Sequence, residues 1–580
     1  MKFDRNTVIG FAVLAVLFFG YFYYTNKEQS AYRQQKIREQ FVKDSTEQAN
    51  RPKIDTSTLQ QDSLKSDSIG QLARSGDFRQ AANGKEEILI VENAVFKIAF
   101  SSKGGQPKWV ELKNFKNQDS GLVKLAGTDF DRLSYTINTG NNNTAQTGDL
   151  FFQPGQLVKN PDGSSSLSYT LGSADSTAAS SIIHRYTIPR DEYMIGFSVV
   201  LNGADKLVSG GVMNLSWQYS AAPQESDMSF EKQNTQIGYV ADGEFDYHTI
   251  GRRSDKTFED PVKWVGVRQR FFFSSLVAKD NFSSGKMEWQ VPPDNEKMIV
   301  RSTSAMKVPV AIASRATVDF SIYYGPSDYQ LLKKYDLEFE RLVNLGQGIY
   351  AFVRPLNKWI IMPIFDFMKS FVGSFGLAIA LLTLFIRLLI SPLTYSSYLS
   401  GAKMKALRPE IAGLKEKFGN DQQAMSMEQM KLFREAGVNP LGGCIPALLQ
   451  IPIFFALYSF FNAEIGLRGA EFLWANDLSA FDDVIKFGFN IPLLGSHLSL
   501  FTITAVVTSF LISIYSMSMS PDQSNPVMKY LPYIFPVFLL FIFNNLPSAL
   551  TWYYTVSNLI TLALQFVIQN YIIDHNKILA

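Results

Sequence analysis

Residues 375–392 read FGLAIALLTLFIRLLISP, an apolar run that one arginine, Arg387, interrupts. The run is long enough to cross a bilayer, which needs about 20 residues of helix. A charged side chain there costs about 2.5–3.5 kcal/mol on insertion scales, and a guanidinium cannot avoid this cost by losing its proton. Thr383 and Ser391 lie one helical turn to either side, so all three project from one face. The segment predicts a membrane helix whose polar face lines a hydrophilic groove.

Three other apolar segments carry polar residues at helical spacing. The last has Tyr554, Asn558, Thr561, Gln565 and Gln569 on one face, and another has Ser509, Ser513, Ser516 and Ser520. In a third, Gln450 lies about two turns from Tyr458. Such residues also pack membrane helices together, and an arginine near a helix end can extend to the interface. A structural role is thus the alternative to a shared hydrated chamber, which the combination with Arg387 favours.

Composition bounds the class of function. The chain has 580 residues, enough for two or more domains, and a formal net charge of +2, which gives no argument for nucleic-acid binding. A single cysteine, Cys444, excludes an internal disulfide and an iron–sulfur cluster. The four histidines show no metal-site spacing, and phosphate-loop, dinucleotide and nucleophile-elbow patterns are absent from the sequence. We therefore expect no catalytic residues, no metal, no cofactor and no enzyme activity.

The N-terminal part predicts an anchor and a tether. Residues 8–24 are apolar and long enough to span a bilayer, and tyrosines rather than small residues end the run. An uncleaved anchor over residues 1–25 is therefore favoured over a cleaved signal peptide, which is the alternative. Residues 26–85 are polar with little periodicity, which is typical of a solvated tether.

Residues 86–325 predict an all-β domain. Short runs rich in β-branched and aromatic residues alternate with glycine- and asparagine-rich turns, and the runs include 88–91, 95–100, 193–201 and 318–324. This spacing is typical of a large β-sandwich. Trp217 and Trp264 are expected in its core rather than in a ligand site.

Helical periodicity returns after the β region. Residues 326–370 predict one amphipathic helix that lies in the membrane interface. Five apolar segments follow and, with the anchor, predict six spans; they lie at about 372–392, 443–461, 498–518, 530–546 and 548–572. Basic residues dominate the loop 394–440 and acidic residues the loop 462–497. The positive-inside rule then places the first loop in the cytoplasm and the β domain outside.

The first loop predicts a helical hairpin over residues 398–436. Two helical stretches, 398–418 and 422–436, flank the turn Gly419–Asn420–Asp421. Met404, Met425 and Met430 lie on them, and flexible methionine side chains suit the binding of varied apolar segments. Gap-filling is the alternative reason for these methionines.

The run GVNPLGGCIPALLQIPIF at residues 437–454 is very similar to the signature of the YidC membrane insertases, which belong with mitochondrial and chloroplast relatives to the YidC/Oxa/Alb superfamily. Further similarity lies at 92–100, 324–326, 383–394 and 553–559, so the resemblance covers essentially the whole chain. It suggests the Gram-negative type with a large periplasmic domain. One departure is Ser374–Phe375–Gly376, where an Asn–Trp–Gly is common.

The resemblance implies a fold and a set of groove residues. The fold would be a polytopic α-helical membrane protein of six spans plus an all-β periplasmic supersandwich. Residues 371–580 would form the five-span insertase core, around a hydrophilic groove open to cytoplasm and lipid. The family's groove residues fall on Thr383, Arg387, Gln450 and Tyr554. The polar faces add Ser391, Ser509, Ser513 and Asn558 as expected substrate contacts.

The resemblance also implies a function and partners. The chain would be an insertase and chaperone for integral proteins of the bacterial inner membrane, working alone or with the Sec translocon. Nascent membrane proteins and membrane lipids are the expected partners. A ribosome would bind through the cytoplasmic loops, because the tail 574–580 is short and has only Lys577 as a basic residue. A small-solute transporter and a periplasmic chaperone or scaffold are the alternatives from other classes.

Overall fold

The computed structural model describes residues 74–140, 142–173, 180–419, 421–437, 445–491, 494–519 and 526–573. The chain divides into two compact units at Leu342/Val343. We call the described residues up to Leu342 the β unit and those from Val343 the helical unit. The predicted anchor, residues 1–25, and most of the predicted tether lie outside the described residues. So do residues 438–444 of the 437–454 signature.

The β unit contains twenty described strands. In chain order they are β1 (Ile88–Glu92), β2 (Phe96–Ser101), β3 (Gln106–Lys116), β4 (Leu122–Leu125), β5 (Arg132–Asn138), β6 (Thr144–Gln146), β7 (Gln153–Pro154), β8 (Val158–Lys159), β9 (Ser165–Gly172), β10 (Ser181–Ile188), β11 (Met194–Asn202), β12 (Val212–Ala221), β13 (Gln236–Ala241), β14 (Glu244–Thr249), β15 (Asp255–Phe258), β16 (Val262–Arg268), β17 (Phe272–Phe282), β18 (Ser284–Gln290), β19 (Val300–Pro309) and β20 (Arg315–Pro326). Short helices at Ala204–Leu207, Met228–Gln233 and Tyr329–Lys333 accompany them.

The strands form three sheets. One sheet runs β14-β13-β16-β17-β20-β11-β10-β9-β7, with β8 also paired to β9; a second runs β15-β18-β19-β12-β5-β6, and a third β1-β2-β3-β4. The long central pairs are antiparallel, as in the register of Phe197 with Phe320 and of Trp217 with Ser304. Strands β1, β2, β11 and β20 match the four runs predicted from the sequence. The predicted β-rich domain is therefore confirmed.

Alternating burial explains why these segments are strands. Along β10 every second residue, from Ile182 to Ile188, is buried, because successive side chains point to opposite faces of a sheet. Trp217 is 3% exposed and Trp264 is fully buried, with the Trp264 indole N–H donating to the Leu337 carbonyl at 2.7 Å. The prediction that both tryptophans are core residues is confirmed.

The prediction of one continuous helix over residues 326–370 is wrong. In the β unit this segment forms the Tyr329–Lys333 helix and a 3-10 turn at Phe339–Leu342. In the helical unit it forms short turns between Gly348 and Ile361 and then the helix Met362–Val372. Gly346 and Gly348 have φ values of +119° and +58°, which a right-handed helix does not accommodate.

Seven further helices of the helical unit are described after Met362–Val372. They are Phe375–Ala406, Arg408–Phe418, Gln422–Glu435, Ile445–Ala463, Leu500–Met519, Pro526–Phe543 and Ser548–Val567. We call Phe375–Ala406 the arginine helix, Ile445–Ala463 the glutamine helix, Leu500–Met519 the serine helix and Ser548–Val567 the last helix. A short hairpin, β21 (Ile485–Ile491) with β22 (Gly495–Leu498), precedes the serine helix.

Length and apolar composition single out the arginine helix as able to cross a membrane within the described part of the chain. Shorter apolar helical stretches lie at Leu449–Ala463, Leu500–Ser516 and Tyr533–Phe543. The count of six spans therefore stays a prediction.

The predicted cytoplasmic hairpin begins later than expected. Residues 398–406 continue the arginine helix, which ends at Ala406 with Leu407 as its C-cap. The next helix begins at Arg408 and has Pro409 in its first turn. The helices Arg408–Phe418 and Gln422–Glu435 then form the pair, and the Asp421 side chain accepts from the Ala424 N–H at 3.1 Å.

Candidate functional site

Arg387 is held by the last helix. Its Nε donates to the Ser557 Oγ at 2.7 Å, and its Nη2 donates to the same oxygen. Ser557 is fully buried, whereas Arg387 is half-buried. No carboxylate among the described residues lies within 4.0 Å of the guanidinium. The arginine is therefore positioned by a neutral hydroxyl, which leaves its positive charge without a counter-ion in this part of the chain.

The last helix also binds the serine helix through an amide. The Asn558 Nδ2 donates to the Ser509 Oγ at 2.8 Å, to the Thr508 Oγ1 at 3.1 Å and to the Ala505 carbonyl at 3.2 Å. Asn558 is 9% exposed, so these bonds replace water at a buried amide. One turn towards the N-terminus, the Thr555 and Thr504 hydroxyls meet at 3.0 Å.

A tyrosine of the last helix faces the glutamine helix. The Tyr554 ring packs on Phe454 and Phe543, with ring centres 5.8 Å and 4.7 Å away. The Gln450 side chain interacts with the Tyr554 hydroxyl, although its buried Nε2 meets no described partner with full hydrogen-bond geometry. Positions 554, 557 and 558 of one helix thus contact four different helices.

The structure does not bring every predicted site residue to the arginine. Thr383 is fully buried and its hydroxyl donates to the Ile379 carbonyl of its own helix at 2.6 Å. The Ser391 hydroxyl donates to the Leu388 carbonyl at 2.8 Å. That carbonyl would otherwise bond the N–H of residue 392, which is a proline and has none. Ser513 is half-buried on the serine helix, and no hydrogen bond joins it to Arg387.

The sequence pattern missed Ser557 as the partner of Arg387. The available signal was its position, three residues after Tyr554 and four before Thr561, which puts it on the polar face of the last helix. The Thr561 hydroxyl donates to the Ser557 carbonyl at 2.7 Å.

A second cluster, also missed, lies where the 464–498 loop meets the serine helix. The buried Asp482 carboxylate accepts from the backbone N–H groups of Leu500 and Phe501 at 2.6 and 3.3 Å. It also accepts from the Ser499 hydroxyl and from the Trp474 indole at 3.2 Å. A carboxylate at these N–H groups caps the start of the serine helix. This cluster is a structural junction.

The methionines of the hairpin differ in exposure. Met430 is 51% exposed and Met425 is half-buried, both on the helix Gln422–Glu435, whereas Met404 is half-buried and lies in the arginine helix, before the observed hairpin. Met427, on the same helix as Met430, is 68% exposed. Among the described residues no group of histidine, cysteine, aspartate or glutamate side chains is arranged to hold a metal ion.

Comparison with known proteins covers both units. Residues 89–361 match the model of the YidC periplasmic domain, and residues 367–576 match that of the 60Kd inner membrane protein. A membrane protein insertase YidC from Parabacteroides distasonis is 30% identical, and one from Porphyromonas gingivalis 32%; each alignment covers 100% of this chain and 94% of the relative. A crystal structure of an active YidC insertase with its first transmembrane domain resolved is similar at 20% identity and a TM-score of 0.34, over 87% of this chain and 96% of that one.

Full-length relatives at 30% and 32% identity carry the assignment, and both family models agree with it. This chain belongs to the YidC family, the membrane protein insertases of the inner membrane, which are not enzymes.

Proposed function

We propose that this chain inserts nascent membrane proteins through a hydrophilic groove whose fixed positive charge is Arg387. The observation that carries this proposal is that an uncharged hydroxyl, rather than a carboxylate, positions the guanidinium. Ser557 accepts two of its N–H groups, and no described carboxylate lies within 4.0 Å. A charge positioned but not neutralised inside an apolar helix attracts an acidic group of a substrate more strongly than one in water.

The groove acts by shortening the apolar path. A polar segment that crosses lipid leaves its backbone N–H and C=O groups without hydrogen bonds, at a cost of several kcal/mol for each group. Water and polar side chains within the groove would satisfy these groups for part of the way. The apolar span of the substrate then leaves sideways into lipid, driven by the burial of apolar surface. No nucleotide is required for this downhill step.

The groove residues fall into two roles. We assign Arg387, Gln450 and Tyr554 to substrate contact, because the arginine charge and the Gln450 Nε2 are not fully used by the described protein. Ser509 and Asn558 hold the serine helix against the last helix. Ser391 and Ser513 line the same path, whereas Thr383 is fully buried behind it and its hydroxyl donates to the Ile379 carbonyl of its own helix.

The membrane arrangement is part of the proposal. We place six spans in the membrane, with the β unit in the periplasm. The segment after Val343 lies in the interface, supported by large apolar side chains that face away from the helical unit: Phe352, Trp359, Phe367 and Phe371 are 59%, 71%, 63% and 79% exposed. Lys358 and Lys369 stand among them.

The hairpin is the proposed receiver of substrate at the cytoplasmic side. Exposed Met427 and Met430 offer adaptable apolar contacts to a nascent span. Basic residues in the same loop would approach the ribosome, and lateral contact with the Sec translocon and with lipids completes the proposed set of partners.

The test uses liposomes that contain only this protein. A single-span substrate with an acidic N-terminal tail, and the same substrate with asparagine and glutamine in the tail, are scored by protease protection. Arg387→Ala should lower insertion of the acidic-tailed substrate about tenfold or more, the effect of roughly 1.4 kcal/mol, and leave the neutral-tailed one much less affected. Arg387→Lys should retain part of the activity.

Lys403→Ala is the matched control, because it removes one positive charge from the last turn of the same helix. Equal insertion of the acidic-tailed substrate by wild type, Arg387→Ala and Arg387→Glu would refute the electrostatic step.

A further inference from the structure

We infer that Ser557 is a positioning residue for Arg387: its hydroxyl sets the depth and direction of the guanidinium without neutralising it. This inference rests on the proposed function of Arg387. It starts from one contact, in which the Ser557 Oγ accepts from both Nε and Nη2. The two residues are 170 positions apart and belong to different helices.

The contact fixes one edge of a planar group. Nε and Nη2 lie on the same edge of the guanidinium, and Ser557 occupies that edge. Nη1 makes no hydrogen bond with any described residue, so the opposite side is left for another acceptor. A carboxylate is the acceptor that a guanidinium binds best. The geometry thus presents the free side of Arg387 to an acidic group of the substrate.

Without this contact the arginine has another place to go. Its side chain carries about 2 kcal/mol of rotamer freedom, and long cationic side chains in membrane helices extend towards the interface. Thr383 and Ser391 of the arginine helix accept no hydrogen bond from Arg387 in the structure, whereas Ser557 accepts two. Ser557 itself is fully buried, so its oxygen stays at one depth.

The neutrality of the partner is as informative as its position. An aspartate at this point would hold the guanidinium more tightly but would cancel its charge. A hydroxyl provides position and leaves the charge for the substrate. Replacement of Ser557 by aspartate should therefore damage the reaction in a different way from replacement by alanine.

The experiment compares Ser557→Ala, Ser557→Thr and Ser557→Asp in full-length protein in liposomes, with the acidic-tailed and neutral-tailed substrates. Ser557→Ala should lower insertion of the acidic-tailed substrate about fivefold, the effect of one net hydrogen bond, and leave the neutral-tailed substrate unchanged. Ser557→Thr should restore insertion, because it returns the hydroxyl. Ser557→Asp should fall to the level of Arg387→Ala.

Two further variants separate positioning from helix packing. Thr555→Val removes a buried contact of the same last helix, the 3.0 Å pair with Thr504, without touching Arg387. It should affect both substrates alike. Ser557→Ala added to Arg387→Ala should cause no further loss, since the first residue acts only through the second.

The outcomes distinguish this inference from the function on which it rests. Arg387→Ala impaired with Ser557→Ala normal would overturn the role of Ser557 and leave the proposed function intact. Equal loss of both substrates in Ser557→Ala would reduce the serine to a packing contact. Arg387→Ala indistinguishable from wild type would remove the proposed function and this inference with it.

Discussion

Each unit of the molecule holds an arginine at which no described carboxylate lies within 4.0 Å, and the two are bound in opposite ways. In the β unit Arg268 is 2% exposed, and its nitrogens donate to Ser327 Oγ, to Gln236 Oε1 and to the carbonyls of Asn234 and Arg270 at 3.0–3.4 Å. In the helical unit Arg387 is half-buried and, among the described residues, donates to Ser557 alone. A guanidinium surrounded by four acceptors has a structural role, whereas one held by a single acceptor keeps capacity to bind something else.

Burial has a different electrostatic result for the first arginine. Loss of hydration, together with the nearby charge of Arg270, lowers the pKa of Arg268 to about 10. Arg268 still carries its charge at neutral pH, and the carbonyl and amide dipoles around it replace water. The comparison predicts that removal of Arg268 acts on stability and removal of Arg387 acts on function.

The largest expected effect comes from Arg268→Ala. The substitution leaves a cavity, and it leaves several buried acceptors without a donor. Each such acceptor costs about 1–3 kcal/mol, so the free energy of unfolding of the β unit should fall by at least about 3 kcal/mol. Arg387→Ala should change stability by less than about 1 kcal/mol, because membrane hydrogen bonds average about 0.6 kcal/mol. Unfolding of both variants in detergent, with hydrogen exchange of β16, β17 and β20, checks this. Equal destabilisation by the two substitutions would break the comparison.

In the helical unit Asp482 corresponds to Arg268, because several groups of the protein donate hydrogen bonds to its carboxylate. Asp482→Ala removes the acceptor for two backbone N–H groups, a hydroxyl and an indole. Because these donors are then left without an acceptor, the free energy of unfolding should fall by about 2–3 kcal/mol. Asp482→Asn keeps the shape and should cost less. Hydrogen exchange at Leu500 and Phe501 measures the loss; unchanged protection there would show that the cap is dispensable.

Two buried titratable groups make the β unit sensitive to pH in opposite directions. Burial lowers the pKa of His184 to about 4, and its ring bridges the Tyr135 hydroxyl and the Gly105 carbonyl at 2.8 and 2.9 Å. Burial raises the pKa of Asp131 to about 6, against hydrogen bonds from Ser220 and Thr128. For His184 the unfolded chain binds more protons between pH 4 and 6.5, so stability rises with pH; for Asp131 the folded state binds more between pH 3.8 and 6, so stability falls.

Substitution should separate the two slopes. Relative to wild type, His184→Phe should make the free energy of unfolding fall more steeply as pH rises from 4 to 6, and Asp131→Asn should make it rise more steeply. Denaturant titrations at a series of pH values measure both. Parallel pH profiles in the three proteins would show that these groups do not titrate as their burial requires.

The smallest effect is expected at the Asn558–Ser509 contact. A double-mutant cycle with Asn558→Ala and Ser509→Ala should give a coupling of about 0.6–1.7 kcal/mol, the range for hydrogen bonds between membrane helices. Insertion activity should fall only as far as the helix pair loosens. A coupling near zero would move these residues from helix packing to substrate contact.

Much of the β unit could be predicted because its information is local. Alternating burial along β10 and β11 follows directly from side chains that point to opposite faces of the sheet. The predicted run 88–91 lies within β1, and the predicted run 193–201 begins one residue before β11. The break in the segment 326–370 carried a local signal as well, since Gly346 and Gly348 flank a single residue. The prediction of one helix followed the apolar periodicity on either side of these glycines. In the fold the glycines adopt positive φ values and interrupt the predicted helix despite that periodicity.

The partner of Arg387 could not be predicted in the same way. Periodicity places Ser557 on a polar face, but it does not fix how the last helix rotates against the arginine helix. That rotation is set by packing among helices far apart in the chain. The same limit hid the role of Ser391, whose polarity suggested a groove contact, while its hydroxyl compensates for Pro392.

That compensation has a mechanical consequence. The arginine helix has 32 residues and is about 48 Å long at the usual rise per residue, longer than the roughly 30 Å hydrocarbon core. Pro392 interrupts the hydrogen-bond ladder near its middle, and the Ser391 hydroxyl already satisfies the released Leu388 carbonyl. Bending at this point has no Leu388–residue 392 backbone hydrogen bond to break, so we expect the helix to be most compliant there. Force applied to the hairpin end of the arginine helix should bend the helix at Pro392 and leave the turn that bears Arg387 straight.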